Sequence, residues 1–383
     1  MRLLHTSDWH AGRTLARHSL DPGLVSALTE MGDFAVNEKV DAVIVAGDIF
    51  ETPRPTGDSQ AIVFDFFLRL FKHGIPAVLV AGNHDSYGQW SALEPLLRLA
   101  NVHVVARPSL ETVFTVDTPS GCLEVAGLAW PSERMMAPLV GAVGGDDQRK
   151  TTWMENVTAF IRHLCAQLQD RGPRVFVGHL MLEGSEISNT QRQLTISDCY
   201  WISAASLPDN LNYVALGHVH VPQTRQAPSR TAYSGAPRPM DFGEAGQPRG
   251  FYRVDLERGK FTETEFIGLS CAQPLREVRV DSSRLVDLEA HRGQPGFFKV
   301  VVRLEQPEPN LAGRVREILP SALIVKSLAT VTSVSKARDT QSLHDPAGTF
   351  REFYATRFPG QSVPDELDQA FASLYQEVTD APA

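Results

Sequence analysis

The chain has 383 residues, 43% hydrophobic and 21% charged, with a formal net charge of −9. That length predicts roughly two to three domains, and the hydrophobic content excludes disordered, collagen-like and disulfide-scaffold chains. The acidic balance argues against a simple nucleic-acid coat. It leaves room for a nucleic-acid enzyme, in which local patches and bound cations set the sign.

Arg2 to Thr6 reads as a short strand ending in Ser7-Asp8-Trp9-His10. Pro22 to about Lys39 has helical spacing, with Leu24, Leu28, Met31 and Ala35 on one face. Val40 to Ala46 is a near-continuous apolar strand running into Gly47-Asp48. Gln60 to His73 is predicted helical, with Phe64, Phe67, Leu68 and Phe71 turned inward. Ala77 to Ala81 is a strand ending in Gly82-Asn83-His84-Asp85; a helix over Ala92 to Ala100 and a strand over Val102 to Val105 follow. Repeated strand–helix–strand units imply a parallel sheet with right-handed crossovers, and such sheets bind ligands at the carboxyl ends of their strands. Each polar cluster falls at such an end.

Val113 to Asp117 and Leu123 to Leu128 flank Pro119-Ser120-Gly121, a hairpin signal. Residues 138–150 read as a loop and Trp153 to Leu168 as a helix. Val175 to Val177 is a strand ending in Gly178-His179, Tyr213 to Leu216 a strand ending in Gly217-His218-Val219-His220, and Phe251 to Phe266 a hairpin around Arg258-Gly259. Parallel units followed by antiparallel strands predict an α/β fold of two sheets packed face to face with helices outside. From about residue 272 a smaller α+β unit begins. Its strands are Arg276 to Val280, Phe297 to Leu304 and Ala322 to Val331, and its helices Arg284 to Ala290 and Leu311 to Leu319. A polar linker, Thr332 to Pro346, leads to two short helical patterns. In the second, Leu367, Ala370, Phe371, Leu374 and Val378 form one apolar stripe. The expected divisions are 1–271, 272–335 and 336–383.

No apolar run approaches the ~18 residues of a membrane span, and the N-terminus does not read as a signal peptide. Cys122, Cys165, Cys199 and Cys271 form no CxxC pair, which fits free thiols in a reducing compartment.

Five motifs at strand ends carry the chemistry: Asp8-x-His10, Gly47-Asp48, Gly82-Asn83-His84-Asp85, Gly178-His179 and Gly217-His218-x-His220. The glycines before Asp48, Asn83, His179 and His218 are expected to turn the chain sharply off its strand. Asp8, His10, Asp48, Asn83, His179, His218 and His220 offer oxygen and nitrogen donors, which suit manganese, iron or zinc. Seven donors exceed one ordinary site. Two ions sharing a carboxylate would use them all, an arrangement that cleaves phosphate esters.

With these motifs in order, the chain resembles the calcineurin-like metallophosphoesterases, and within them the nuclease branch of SbcCD type. Thr6-Ser7-Asp8-Trp9-His10-Ala11-Gly12-Arg13, Ala46-Gly47-Asp48-Ile49-Phe50, Gly82-Asn83-His84-Asp85, Leu216-Gly217-His218-Val219-His220, and Tyr233-Ser234-Gly235-Ala236-Pro237 with Phe242-Gly243-Glu244 carry the likeness. It implies a four-layer α/β/β/α sandwich with a small α+β capping domain and C-terminal helices. It implies that Asp8, His10, Asp48 and His220 hold one ion and Asp48, Asn83, His179 and His218 the other, both manganese, with His84 the catalytic histidine. Asp85 either orients His84 or caps the next helix, and the cap is preferred. Some relatives carry a histidine where Glu51 stands, and Glu51 either orients a ligand or is solvated.

The resemblance further implies a DNA 3′→5′ exonuclease and single-strand or hairpin endonuclease. Its place would be in repair, recombination and replication, in the cytoplasm at the nucleoid. Arg13, Arg17, His18, Arg54 and Arg192 are candidates to meet a phosphate backbone. The implied partner is an SbcC-type coiled-coil ATPase, gripped by the C-terminal helices in a heterotetramer. A homodimer through helices bearing Phe64, Phe67, Leu68, Leu96 and Leu97 is also implied. A phosphoesterase of cyclic nucleotides, nucleotides or phosphoproteins would share the metal centre; the capping unit and C-terminal helices argue against it.

Overall fold

The strand Ala42–Ala46 is buried along its whole length, which explains its uninterrupted apolar sequence: it has a neighbour on each edge and cover on each face. In the computed structural model it lies parallel to Arg2–Thr6 on one side and Ala77–Val80 on the other. The structure describes residues 1–140, 146–187, 201–257, 262–271, 273–304, 306, 308–329, 346–358 and 363–380.

One six-stranded sheet runs Glu263–Gly268, Gly250–Asp255, Arg2–Thr6, Ala42–Ala46, Ala77–Val80, Val102–Val105, the last four parallel. The second six-stranded sheet runs Gln223–Arg225, Thr231–Tyr233, Tyr213–Gly217, Arg174–His179, Gly121–Leu128, Val113–Thr118. The sheets face one another. His5 of the first bonds the Tyr213 hydroxyl of the second at 2.8 Å, and the ring of His179 reaches the carbonyl of Ala46.

Helices Asp21–Asn37, Gly57–Lys72 and Tyr87–Leu99 cover the first sheet, while Trp153, Val157, Phe160, Ile161 and Leu164 of the helix Asp146–Ala166 cover the second. This is the expected α/β/β/α order. Capping follows the usual rules: Thr56 accepts from the Ser59 amide and Ser86 from that of Gln89.

Local details depart from expectation. The helix Gly57–Lys72 buries Val63, Phe66, Phe67 and Leu70, and leaves Leu68 and Phe71 about half exposed. Its apolar residues outnumber one stripe, so the sequence alone admits more than one inward face. The expected loop at 138–150 is helical where described, ending one helix at Val140 and opening the next at Asp146. Ser86, not Asp85, caps the helix Tyr87–Leu99. Arg192, Cys199 and most of the expected 332–346 linker lie outside the described residues.

The smaller sheet, Leu275–Asp281, Phe297–Leu304 and Ala322–Ala329, packs the helix Leu311–Ile318 and a 3-10 stretch, Ser282–His291, around Phe298, Val300 and Val302. Leu275 and Leu323 of this unit pack with Phe242 and Leu15, and the His18 ring rests on Phe297. The chain divides into compact units at 1–328 and 329–383. In the second, helices Pro346–Arg357 and Asp365–Asp380 are joined by stacked rings of Phe350 and Phe371 and by an Arg351–Asp368 ion pair. Among the described residues, no helix is long and apolar enough to cross a membrane.

Candidate metal centre

Each strand named for its polar end delivers that end to one place. The Asp8 amide bonds the Gly47 carbonyl and the His10 amide that of Asp48, which laces the first two loops together. Asp8, His10, Asp48 and His218 all take positive φ, from 47° to 93°, a conformation that costs energy and persists where the surroundings hold it.

Of the four glycines preceding site residues, only Gly47 has positive φ. Gly82 and Gly217 are there for room. A Cβ on Gly82 would stand 2.1 Å from Asp48 Oδ1, and one on Gly217 1.8 Å from the Ala46 carbonyl oxygen.

Donor atoms gather in three overlapping groups: Asp8 with His10 and His220; His10 with Asp48 and His84; Asp48 with His179 and His218. Asn83 joins the third group, its Oδ1 lying 3.1 Å from His179 Nε2 and 3.2 Å from His218 Nδ1. Asp48 Oδ2 is 3.6 Å from His10 Nε2 and 3.3 Å from His179 Nε2. All seven candidate ligands and His84 are therefore together.

The hydrogen bonds fix which nitrogens face inward. His10 Nδ1 donates to Glu51 and His220 Nδ1 to Glu244, at 2.9 and 3.0 Å. Their Nε2 atoms then present lone pairs to each other across 3.2 Å. His179 Nδ1 donates to the Ala46 carbonyl, which turns its Nε2 toward the oxygens of Asn83 and Asp48. Facing lone pairs repel unless a cation sits among them, so this donor set fits divalent metal.

The electrostatics agree. Burial pushes Asp48 upward, but the charge and hydrogen bond of His179, then His10, outweigh it and hold the carboxyl well below its usual range. Burial depresses His179, yet Asp48 raises it to about 9, so its Nε2 holds a proton toward Asp48 that a bound cation would replace. His218, buried and beside His179, falls to about 3.

The supporting groups were only partly legible. Glu51 orients: one carboxylate oxygen accepts from His10, the other from Arg13, and its backbone oxygen accepts from His84 Nδ1. Burial would raise its pKa, but His10 and Arg13 bring it to about 2. Asp85 accepts from the amides of Ile49, Phe50 and Gly82, fastening two ligand loops. Glu244, which sequence reasoning did not single out as functional, is 1% exposed and held between His220 and Arg249. Trp130 was also missed; its ring lies 5.0 Å from that of His218 and 6.1 Å from that of His179. Arg238 is buried and donates to the carbonyls of Trp9 and His10.

Among the basic candidates, Arg13 is engaged by Glu51 and His18 by Phe297. Arg17 and Arg54 are exposed.

Glu244→Ala is expected to weaken metal affinity about 10–100-fold, the usual effect of losing the group that orients a histidine ligand. Calorimetric titration with manganese checks this. Unchanged affinity would mean that His220 needs no orienting partner.

The calcineurin-like phosphoesterase model matches residues 1–222, and the chain belongs to that family, whose members bind divalent metal and hydrolyse phosphate esters. A second model, the type 5 capsule protein repressor C-terminal domain, matches residues 271–358. The chain is similar to the D subunits of the SbcCD nucleases of several bacteria. That of Bacillus subtilis is 27% identical over 391 residues, covering 100% of both chains. That of Rhodobacter capsulatus is 28% identical, covering 88% of this chain and 89% of its own, and that of Escherichia coli K12 is 27% identical, covering 73% and 71%.

Proposed function

We propose that this chain is the nuclease subunit of a DNA-processing complex, cutting phosphodiester bonds as a 3′→5′ exonuclease on duplex DNA and as an endonuclease on single strands and hairpins. The observation that carries the reading is the convergence of buried imidazole lone pairs and carboxylates on both sides of Asp48. Support for DNA comes from the full-length likeness to SbcCD D subunits and from the second family match beyond the phosphoesterase region.

On this reading Asp8, His10, Asp48 and His220 hold one ion and Asp48, Asn83, His179 and His218 the other, with manganese the metal in both. When bound, such a pair supplies Lewis acidity to phosphoryl oxygens and makes water acidic enough to attack near neutral pH. The protein's own groups do the rest. Glu51 and Glu244 hold His10 and His220 in the tautomer with Nε2 inward. The Glu51 carbonyl fixes the His84 Nδ1 proton, so it is the imidazolium form of His84 that would give its Nε2 proton to the departing sugar oxygen and be left as the neutral Nδ1–H tautomer.

Residues 1–271 are the nuclease domain in this scheme, 272–335 the capping domain that borders substrate, and 336–383 the segment that grips a coiled-coil ATPase. Phe353 and Leu367 on the C-terminal helices, and Phe358 just past the first of them, are exposed apolar groups available to such a partner. A dimer of this chain, a heterotetramer with the ATPase and a cytoplasmic, nucleoid-associated location complete the proposal.

The test is a manganese titration on end-labelled duplex and hairpin DNA beside cyclic nucleotides and a phosphopeptide, with chelator controls. Manganese-dependent DNA cleavage far above turnover of the small esters is expected. Turnover of the small esters alone would move the chain to another phosphoesterase branch.

A further inference from the structure

Beside the metal centre lies a recess of about 600 Å³ lined by Tyr87, Arg107, Ser109, Ser132 and Arg134 among others, with no acidic side chain in its lining. Its position follows from the sheets. The Ala81 amide bonds the Val105 carbonyl, and the Trp130 amide bonds the Ala81 carbonyl. The three chain segments that end in Asn83, Arg107 and Ser132 therefore leave their strands side by side. Trp130, two residues before Ser132, has its ring against His218, and Tyr87 lies three residues beyond His84.

Two features mark the recess as a built anion site. Arg107 and Arg134 are both exposed, and neither has an ion pair or hydrogen bond among the described residues. Two guanidiniums that approach one recess without a carboxylate repel each other, and surface arginines ordinarily find an acid. A fork of N–H donors with hydroxyls from Ser109, Ser132 and Tyr87 matches a phosphodiester group. The volume falls in the range of ligand sites, roughly 300–1,000 Å³.

We propose that this recess binds a phosphate of the nucleic-acid strand next to the one being cut, with the Tyr87 ring available to stack on its base. The proposal rests on the nuclease reading and deepens it. The acidic chain would then gain local affinity for a polyanion from one patch beside the metals, and Arg107 and Arg134 would bind the strand without touching the reacting atoms.

The experiment uses the full chain and the double variant Arg107→Ala/Arg134→Ala. Binding of a fluorescent single-stranded oligonucleotide is followed by anisotropy, in chelator so that no cleavage occurs, across a salt series. The variant is expected to bind about tenfold or more weakly, with a salt dependence shallower by about 1 per arginine lost. Arg107→Lys/Arg134→Lys should recover the salt slope. Manganese-dependent hydrolysis of bis(p-nitrophenyl) phosphate, which carries no neighbouring phosphate for the recess to hold, should be unchanged and reports that the fold and centre are intact. Equal affinity and equal salt slope in wild type and variant would overturn the subsite, as would a parallel loss on the small ester. Cleavage is measured separately: a wild type that binds the oligonucleotide through these arginines yet never cuts it would refute the nuclease reading and leave the subsite standing.

Discussion

Asp48→Asn is expected to abolish metal-dependent hydrolysis and to lose metal at the same time. The Asp48 carboxylate approaches histidines of both groups, His10 on one side and His179 on the other. On the proposed assignment it is the shared ligand, so its loss weakens both ions rather than one. The amide keeps the shape and an oxygen but removes the negative charge, and an isosteric change is the safer probe. Asp48 is 2% exposed, and its Oδ1 also accepts from the His84 amide, so alanine would leave a buried gap and an unsatisfied donor.

Thermal melting with and without manganese checks the expectation. A ligand at a hundredfold excess over its Kd stabilises the folded state by about 2.7 kcal/mol. The wild type should show a manganese-dependent rise of this kind and the variant little of it, while their metal-free circular dichroism agrees. A variant that keeps its full metal content and its rate would remove Asp48 from the bridging position.

The candidate ligands were legible because each lies within a few residues of the end of a strand, and parallel sheets gather such ends at one edge. Asp8, Asp48 and Asn83 come from neighbouring strands of the first sheet, and His179, His218 and His220 from the second. The layer that aims them was legible only in part: the sequence left Glu51 between orienting a ligand and being solvated, and did not single out Glu244. Glu51 is 41 residues from His10 and Glu244 is 24 from His220, and no periodicity links such pairs. Glu244 sits in a short 3-10 turn, Phe242–Glu244, where nothing in the local pattern separates a buried acid from a solvated one. Its neighbour Phe242 packs with Leu275 and Leu323 of the three-stranded sheet, so that sheet braces the turn that holds the partner of His220.

The glycines show the same limit. Their presence before four of the candidate ligands was plain, but the reason differs from position to position. Gly47 supplies a left-handed turn, while Gly82 and Gly217 admit the Asp48 carboxylate and the Ala46 carbonyl. Only the packed structure distinguishes a backbone requirement from a steric one. The inward face of Gly57–Lys72 failed in the sequence for a related reason: with apolar residues around more than one stripe, the face is chosen by the sheet it meets.

His84→Ser is expected to keep both ions and to lose DNA hydrolysis by about 10²–10⁴-fold, the usual worth of a positioned general acid. His84 lies close enough to His10 and Asp48 to be counted with them as a donor group, so geometry alone admits it as a ligand. Its tautomer alone does not separate the two roles, because His10 and His220 present Nε2 in the same way. With Nδ1 donating to the Glu51 carbonyl at 2.8 Å and the backbone amide donating to Asp48, the ring is held from behind and Nε2 is left for substrate or metal. Elemental analysis of the variant separates the two roles, since loss of metal would make His84 a ligand. The leaving group offers a second readout that a structural defect would not move. A sugar oxygen leaves poorly unless protonated, whereas p-nitrophenolate leaves without help. The variant should therefore be far less impaired on bis(p-nitrophenyl) phosphate than on DNA. An equal loss on both substrates would mean that His84 acts on the phosphoryl group or the metals, not on the departing oxygen.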